Sequence, residues 1–162
     1  MARVWLSIGS NRERERYTRA AVSALRAAFG DLLLSPVYET AAVGFVGAPF
    51  YNLAAGFETG LSPEAVSTTL KGIEESLGRM RTSKRFAPRT IDIDLLTYGN
   101  LSLHEPGLEI PRAEILQYAF VLKPLADVAP GEIHPVARKS YAELWLEFEG
   151  DKTLRLIPLD WD

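Results

Sequence analysis

The chain contains no cysteine among its 162 residues and only two histidines. The lack of cysteine excludes a disulfide-stabilised scaffold, a thiolate zinc site and a cysteine nucleophile, and it is typical of a cytoplasmic protein. No apolar run approaches the roughly 20 residues that a membrane-spanning helix needs. The charged stretch at 11–16 is unlike a signal peptide. We therefore expect a soluble, cytoplasmic chain with no membrane partner.

The composition is that of an ordinary globular protein, with 47% hydrophobic and 24% charged residues. Eighteen basic residues face 21 acidic ones, and the net charge of −3 argues against binding of nucleic acid over the whole surface. The length favours one domain over residues 1–162. Since no large apolar stripe is left without a partner, we expect a monomer.

The hydrophobic periodicity predicts strands and helices in the order βαββαβ, followed by a tail that contains helices. The expected strands are 4–8, 32–38, 50–58 and 90–98, and the expected helices are 13–29, 62–78, 119–128 and 141–148. Pro36 suits an edge or a bulge, and Pro124 is expected to kink or break its helix. The order predicts an α+β, ferredoxin-like fold: an antiparallel sheet with helices on one face, plus a C-terminal helical extension.

The densest chemistry lies at 79–94, where a basic segment runs directly into a strand. The basic residues, which no acid interrupts, are Arg79, Arg81, Lys84, Arg85 and Arg89. Asp92 and Asp94 follow, and strand alternation points both carboxylates to one face, about 6.5–7 Å apart. Two such carboxylates suit Mg²⁺, and arginines suit a polyphosphate. The segment therefore indicates phosphoryl-type transfer, although an edge strand with solvated charges is the alternative.

The residues 85–94, Arg-Phe-Ala-Pro-Arg-Thr-Ile-Asp-Ile-Asp, resemble the signature of the 6-hydroxymethyl-7,8-dihydropterin pyrophosphokinases. The likeness extends over nearly the whole chain, including 6–11, 38–40, 49–52 and 119–125. It implies an enzyme that transfers pyrophosphate from ATP to 6-hydroxymethyl-7,8-dihydropterin and releases AMP, a step of folate biosynthesis. No P-loop or kinase-like glycine-rich loop is present, so ATP must be held in another way.

The same resemblance implies roles for individual residues. Asp92 and Asp94 would hold two Mg²⁺ ions that bridge the phosphates of ATP, and Arg79 and Arg89 would act with them in catalysis. The residues implied for the pterin are Thr40, Val43, Phe50, Asn52 and Phe120. The residues implied for ATP are Lys71, Glu74, Arg81, Lys84, Arg85, Phe86, Leu95, Arg112 and Tyr118.

Two positions depart from the family pattern. Arg112 stands where the family commonly has histidine, and Tyr118 stands where it commonly has arginine. Tyr118 donates one hydrogen bond without charge, so we expect weaker ATP binding with the metal ligands intact. Two alternatives remain open at this point: a non-catalytic ferredoxin-like module that binds nucleotides or RNA, and a degenerate relative that binds without turnover.

Overall fold

The computed structural model describes residues 1–41, 48–78 and 91–161. An antiparallel sheet and helices packed on it make up these ranges, as the sequence predicts for a mixed α/β chain. The strands are β1 (Ala2–Ser10), β2 (Leu33–Leu34), β3 (Val37–Thr40), β4 (Phe50–Thr59), β5 (Asp92–Tyr98), β6 (Leu103–Glu105), β7 (Leu108–Ile110) and β8 (Arg155–Ile157). The helices are α1 (Arg14–Phe29), α2 (Pro63–Gly78), α3 (Glu114–Gln117), α4 (Ala119–Val128) and α5 (Tyr141–Glu147).

In the main sheet β1 lies between β4 and the edge strand β5. The strand order is β5-β1-β4-β3-β8, with the short β2 also paired to β4, and β6 and β7 form a separate hairpin. In this register Ser7 and Gly9 of β1 lie opposite Asp94 and Asp92 of β5. On the other side of β1, Gly9 lies opposite Asn52 of β4. The polar residues of three strands therefore meet near the end of β1.

Helices α1 and α2 cover the first face of the sheet. In α1, Val22 and Leu25 recur at helical spacing and are buried, and Gly30, at a φ of 85°, ends the helix. Ser62 caps α2, since its Oγ accepts the Ala65 N–H at 3.1 Å. These helices pack against one core together with the side chains of β1 that point toward them: Val4, Leu6 and Ile8.

The second face of the sheet is also covered, by α4 of the C-terminal part, which the prediction of helices on one face with a C-terminal extension did not place. Trp5 lies between Val4 and Leu6 on β1 and points away from the first core, yet only 1% of it is exposed. It packs in a second core with Leu96 of β5 and with Leu122 and Leu125 of α4. Its Nε1 donates to Oε1 of Glu132 at 2.9 Å, which satisfies the buried indole N–H. A large apolar residue at an outward-facing position needs such a cover.

Prolines act differently from the sequence prediction at two places. The predicted strand 32–38 is divided into β2 and β3 at Ser35 and Pro36, where Ser35 donates its N–H to the carbonyl of Ala54 at 3.0 Å. Helix α4 continues through Pro124 without the predicted break. The sequence analysis also missed β6, β7, β8 and α3, each of three or four residues, because so short a segment has no measurable periodicity. No helix in the described ranges is both long and apolar enough to cross a membrane.

His134 forms the turn that leads into α5, and 2% of it is exposed. Its Nδ1 accepts the backbone N–H groups of Val136 and Ala137 at 3.1 and 2.9 Å, so this nitrogen carries no proton. Burial lowers the pKa of His134 below its ordinary value. The turn is therefore built on a neutral imidazole.

We predict that His134 makes the free energy of unfolding depend on pH between 7 and 5. Above the ordinary histidine pKa of about 6.5, both the folded and unfolded states are neutral and the turn is intact. Below it the unfolded chain binds a proton that the folded chain resists, so stability falls by up to about 1.4 kcal/mol per pH unit. Urea unfolding at pH 5, 6 and 7 measures this slope.

A pair of variants separates this histidine from the exposed one. His134→Asn keeps an acceptor oxygen but cannot titrate in this range, so we expect a shallower slope. His104→Asn is the matched control, because His104 pairs with Glu109 on an exposed hairpin, and its effect on the slope is expected to be smaller. A wild-type slope in His134→Asn would contradict the assignment.

Candidate active site

A cleft of about 240 Å³ opens where the ends of β1, β3, β4 and β5 meet α3 and α4. Polar, acidic and aromatic side chains share its wall. The residues that line it are Ser7, Gly9, Thr40, Ala41, Phe50, Asn52, Asp92, Asp94, Leu96, Arg112, Glu114, Tyr118, Phe120 and Val121. Eight of the residues predicted from the sequence meet in this first cleft: Thr40, Phe50, Asn52, Asp92, Asp94, Arg112, Tyr118 and Phe120.

The two carboxylates of β5 face the first cleft because strand alternation sends their neighbours inward. Ile93 and Leu95 are 4% and 7% exposed and belong to the core beneath α1 and α2. Asp92 and Asp94 point the opposite way, and 44% of the Asp94 side chain is exposed. The residues opposite them on β1, Gly9 and Ser7, are small. The space above the carboxylates is therefore open to a ligand.

The two carboxylates suit a magnesium ion that also binds water and substrate, rather than a metal that is enclosed by protein ligands alone. Within the described residues, no group of three or more histidine, cysteine, aspartate or glutamate side chains is placed to hold a metal. Mg²⁺ commonly binds one or two carboxylates and completes its shell with water and substrate phosphates. Asp92 and Asp94, side by side on an open cleft, supply two such hard oxygen ligands.

Asn52 forms the floor of the first cleft and is held in one orientation. It is 5% exposed, and its Oδ1 accepts the hydroxyl of Thr40 at 2.8 Å. A Cβ atom on Gly9 would lie 2.9 Å from Nδ2 of Asn52, so glycine is needed there for the amide to approach the strand. The buried amide is thus fixed by Thr40 on one side and given room by Gly9 on the other.

The aromatic wall of the first cleft consists of Phe50 on β4 and of Tyr118 and Phe120 at the start of α4. The rings of Tyr118 and Phe120 stack with their centroids 5.0 Å apart and an interplanar angle of 21°. Tyr118, which the sequence predicts as an ATP contact, is therefore grouped with the residues predicted for the pterin. The wall offers flat apolar surface in the same cleft as the buried amide.

A second, smaller cleft of about 90 Å³ lies between α2, β5 and the β6–β7 hairpin. It contains Lys71, Glu74 and Leu95, three of the residues predicted for ATP. Oε2 of Glu74 accepts the N–H of Ile93 at 2.8 Å, which ties α2 to the edge strand between the two aspartates. Asp94 and Arg112 line both clefts, so the two clefts meet at this pair.

Arg112 is the cation at this junction. Its Nη2 lies 3.9 Å from Oδ1 of Asp94, and both Nε and Nη2 donate to Oε2 of Glu114, the Nε contact at 3.1 Å. Burial acts to lower the pKa of Arg112, but Asp94, Glu114 and Asp92 together outweigh it and raise the pKa above its ordinary value. The guanidinium therefore stays charged at any pH that the protein survives.

Seven of the predicted residues lie outside the described ranges: Val43, Arg79, Arg81, Lys84, Arg85, Phe86 and Arg89. In the other direction, the sequence analysis missed Ser7 and Glu114 as lining residues. Ser7 was visible as a small residue that shares a strand face with Gly9. Glu114 had no such signal, because its contact with Arg112 depends on how the chain turns into α3.

A family model described as 7,8-dihydro-6-hydroxymethylpterin-pyrophosphokinase (HPPK) matches residues 5–130 of the chain. The chain belongs to this family. This agrees with the resemblance noted at 85–94, and it does not favour the alternative of a module that binds RNA or nucleotides without catalysis.

Named relatives cover the chain almost from end to end. A 2-amino-4-hydroxy-6-hydroxymethyldihydropteridine pyrophosphokinase from Aquifex aeolicus is 32% identical over 157 residues, which are 96% of this chain and 95% of that protein. One from Porphyromonas gingivalis is 38% identical, over 85% of this chain and 97% of that protein. The folic acid synthesis protein fol1 of Pneumocystis carinii is 34% identical over 86% of this chain, which spans 19% of that larger protein.

Solved HPPK-DHPS structures share the fold of this HPPK-family chain. The wild-type HPPK-DHPS of Plasmodium falciparum superposes with a TM-score of 0.70 at 16% identity, over 91% of this chain and 44% of that one. An HPPK-DHPS in complex with substrates gives 0.73 at 14% identity, over 91% and 45%. The chain thus spans less than half of these solved chains, and at such identities the likeness concerns the fold.

We predict that Gly9→Ala displaces the Asn52 amide. The added methyl group would lie 2.9 Å from Nδ2, so the amide must rotate away from its bond with Thr40, at a cost of about 1–3 kcal/mol in the free energy of unfolding. The side-chain amide resonances of Asn52 in a ¹H–¹⁵N spectrum report the displacement, and urea unfolding reports the cost.

Gly72→Ala is the matched control for this substitution. Gly72 lies on the exposed side of α2, where an added Cβ meets no described atom within 4 Å. The same change there is expected to raise the stability by up to about 1 kcal/mol, since alanine favours a helix. Unmoved Asn52 resonances together with wild-type stability in Gly9→Ala would contradict the close packing.

Proposed function

We propose that this chain transfers pyrophosphate from ATP to the hydroxymethyl oxygen of 6-hydroxymethyl-7,8-dihydropterin, giving the pterin diphosphate and AMP in folate biosynthesis. One observation carries the proposal: Asp92 and Asp94 face a cleft that also contains a fixed buried amide and an aromatic wall. A flat heterocycle can hydrogen-bond to the amide and stack on the aromatic wall, whereas a polyphosphate can bind through metal ions on the carboxylates. Membership in the family supports the same assignment.

The pterin occupies the first cleft. Phe50 and Phe120 hold the flat ring by stacking, and the Asn52 amide reads its hydrogen-bonding edge. Thr40 acts through Asn52, since its hydroxyl already binds Oδ1. Val43 contributes through its backbone. This arrangement directs the hydroxymethyl group toward Asp92 and Asp94, which lie in the same cleft.

ATP occupies the second cleft and the junction between the two. Lys71, Glu74 and Leu95 line the second cleft, and Arg112 at the junction faces the phosphates. Arg79 and Arg89 steady the charge on the phosphates as the group moves. Further contacts to ATP come from Arg81, Lys84, Arg85 and Phe86, whereas Tyr118 lines the first cleft beside Phe120.

Asp92 and Asp94 hold the metal. We assign them two Mg²⁺ ions, which, when bound, neutralise the phosphates and align ATP with the acceptor. The two-carboxylate donor set on an open cleft supports this assignment, because Mg²⁺ keeps positions for water and phosphate oxygens.

The chemical step is an in-line displacement at the β-phosphorus of ATP. The hydroxymethyl oxygen forms a bond to the β-phosphorus, the bond from that phosphorus to the α,β-bridging oxygen breaks, and AMP leaves with the electron pair. The hydroxyl proton passes to water. Arg112, Arg79 and Arg89 stabilise the negative charge that develops on the phosphoryl oxygens. Water that reached the β-phosphorus would hydrolyse ATP. The reaction therefore favours a cleft that is closed to water during transfer.

Finer features of the molecule belong to the same proposal. The strand order, with β1 between β4 and β5 and with β3 beyond β4, supports a ferredoxin-like class in which α3, α4 and α5 form a C-terminal helical extension. We further propose that residues 1–162 form one domain that acts as a cytoplasmic monomer. Its partners are ATP and the pterin, with no nucleic acid and no membrane.

Product analysis tests the proposed function. The protein is incubated with Mg-ATP, with and without 6-hydroxymethyl-7,8-dihydropterin, and AMP, ADP and pterin diphosphate are separated. We expect AMP and pterin diphosphate in equal amounts and only when the pterin is present. Binding of the pterin without turnover would identify a degenerate relative, and the absence of both turnover and binding would refute the proposal.

We predict that Asp92→Asn and Asp94→Asn each lower kcat by at least about 100-fold, the scale on which preorganised charges contribute to such steps. Each change removes a metal ligand charge and keeps the size of the side chain. The rate of AMP release at saturating Mg²⁺ is the measurement. Asp31→Asn, on an exposed turn before β2, is the matched control and is expected to keep the wild-type rate. Near-normal turnover in either β5 variant would disprove their role.

A further inference from the structure

The cation at the junction of the clefts is held by a carboxylate that the sequence did not single out. Arg112 is anchored at its backbone, where its N–H donates to the carbonyl of Leu96 at 2.9 Å. Its side chain is anchored by Glu114, which accepts from both Nε and Nη2. The two side chains are each 34% exposed, so water competes with the contact only in part.

We propose that Glu114 is a positioning residue for the binding of Mg-ATP: it holds Arg112 over the junction of the two clefts and keeps it from closing onto Asp94. This inference rests on the proposed function and concerns the part of the site that receives the phosphates. Glu114 acts through Arg112, and no contact with the substrates is assigned to it.

The geometry explains why Arg112 needs such a residue. Nη2 lies 3.9 Å from Oδ1 of Asp94, which is at the outer limit of an ion pair. Glu114 binds the Nε edge of the guanidinium and holds the guanidinium away from Asp94. Without Glu114, rotation of a long, flexible side chain would bring the guanidinium to Asp94, where it would compete with a metal for the same carboxylate oxygens.

The same contact leaves part of the guanidinium available. Glu114 and Asp94 engage Nε and Nη2, and Nη1 makes no hydrogen bond to any residue in the ranges 1–41, 48–78 and 91–161. A guanidinium that is held along one edge and charged at all relevant pH values presents its other edge to an anion. Because Arg112 lines both clefts, that anion is the phosphate chain that passes between them.

A double-mutant cycle with a binding readout tests this role. Binding of Mg²⁺ and α,β-methylene-ATP, which the enzyme cannot cleave at the transferred group, is measured by calorimetry for wild type, Glu114→Ala, Arg112→Ala and the double variant. We expect Glu114→Ala to weaken the affinity by about threefold to tenfold, the range of a partly exposed charged contact. In the Arg112→Ala background the same change is expected to have less than about a twofold effect, because its target is gone.

Two further measurements distinguish positioning from a general structural effect. The Mg²⁺ concentration for half-maximal binding of the analogue is expected to rise in Glu114→Ala, because Arg112 then competes for Asp94, and Glu114→Gln is expected to restore part of the affinity through its acceptor oxygen. Glu147→Ala is the matched control: Glu147 binds Lys139 at 2.8 Å on the exposed side of α5, and its loss is expected to change neither quantity. Thermal unfolding of each variant accompanies the titrations.

Three results would overturn the inference. Equal losses of affinity from Glu114→Ala in both backgrounds would mean that Glu114 acts on the ligand directly. A loss of pterin affinity with unchanged analogue affinity would assign Glu114 to the first cleft instead. Wild-type binding of the analogue that Glu114→Ala leaves unchanged would show that Arg112 needs no such residue. Failure of the wild-type protein to bind the analogue at all would instead refute the proposed function itself.

Discussion

The register of β1 against its two neighbours is the constraint on which the site depends. Side chains alternate along a strand, so a slip of one residue would turn the faces of β5 over and put Asp92 and Asp94 into the core. The register is held because β1 is buried on both faces, with Leu6 among the residues packed under α1 and α2 and Trp5 under α4. Both cores therefore specify the position of the carboxylates.

The described part of the site carries more negative than positive charge at the point where we propose that the phosphates bind. Asp92, Asp94 and Glu114 line the first cleft, and Arg112 is the cation that lines it. Taken by themselves, these described side chains repel a bare polyphosphate and favour one that arrives with divalent cations. The orientation of Arg112 matters in this arrangement, because its guanidinium can pair with a carboxylate or, as we propose, with the substrate. In our proposal, Glu114 binds one edge of Arg112 and so keeps the guanidinium from pairing fully with Asp94.

Sequence reasoning succeeded where one short-range rule governed the outcome. Strand alternation placed Asp92 and Asp94 on one face, and the cap at Ser62 with the helical spacing of Val66 and Leu70 located α2. Prediction from the sequence failed where contacts between distant elements determined the structure. The alternation of β1 does not reveal that α4 covers the face on which Trp5 lies. Pro124 was expected to kink or break its helix, whereas α4 continues through it and packs in the second core.

Local rules in the sequence thus determined the order of the main elements, the paired carboxylates and the type of chemistry, because periodicity and side-chain charge are properties of neighbouring residues. Only the tertiary structure decided that the described residues among those predicted for the two substrates lie in two clefts that meet at Asp94 and Arg112. It also decided that Glu114 holds Arg112, since this contact follows from the way the chain enters α3 beside β5. Distances between elements arise from packing, and packing is a property of the whole chain.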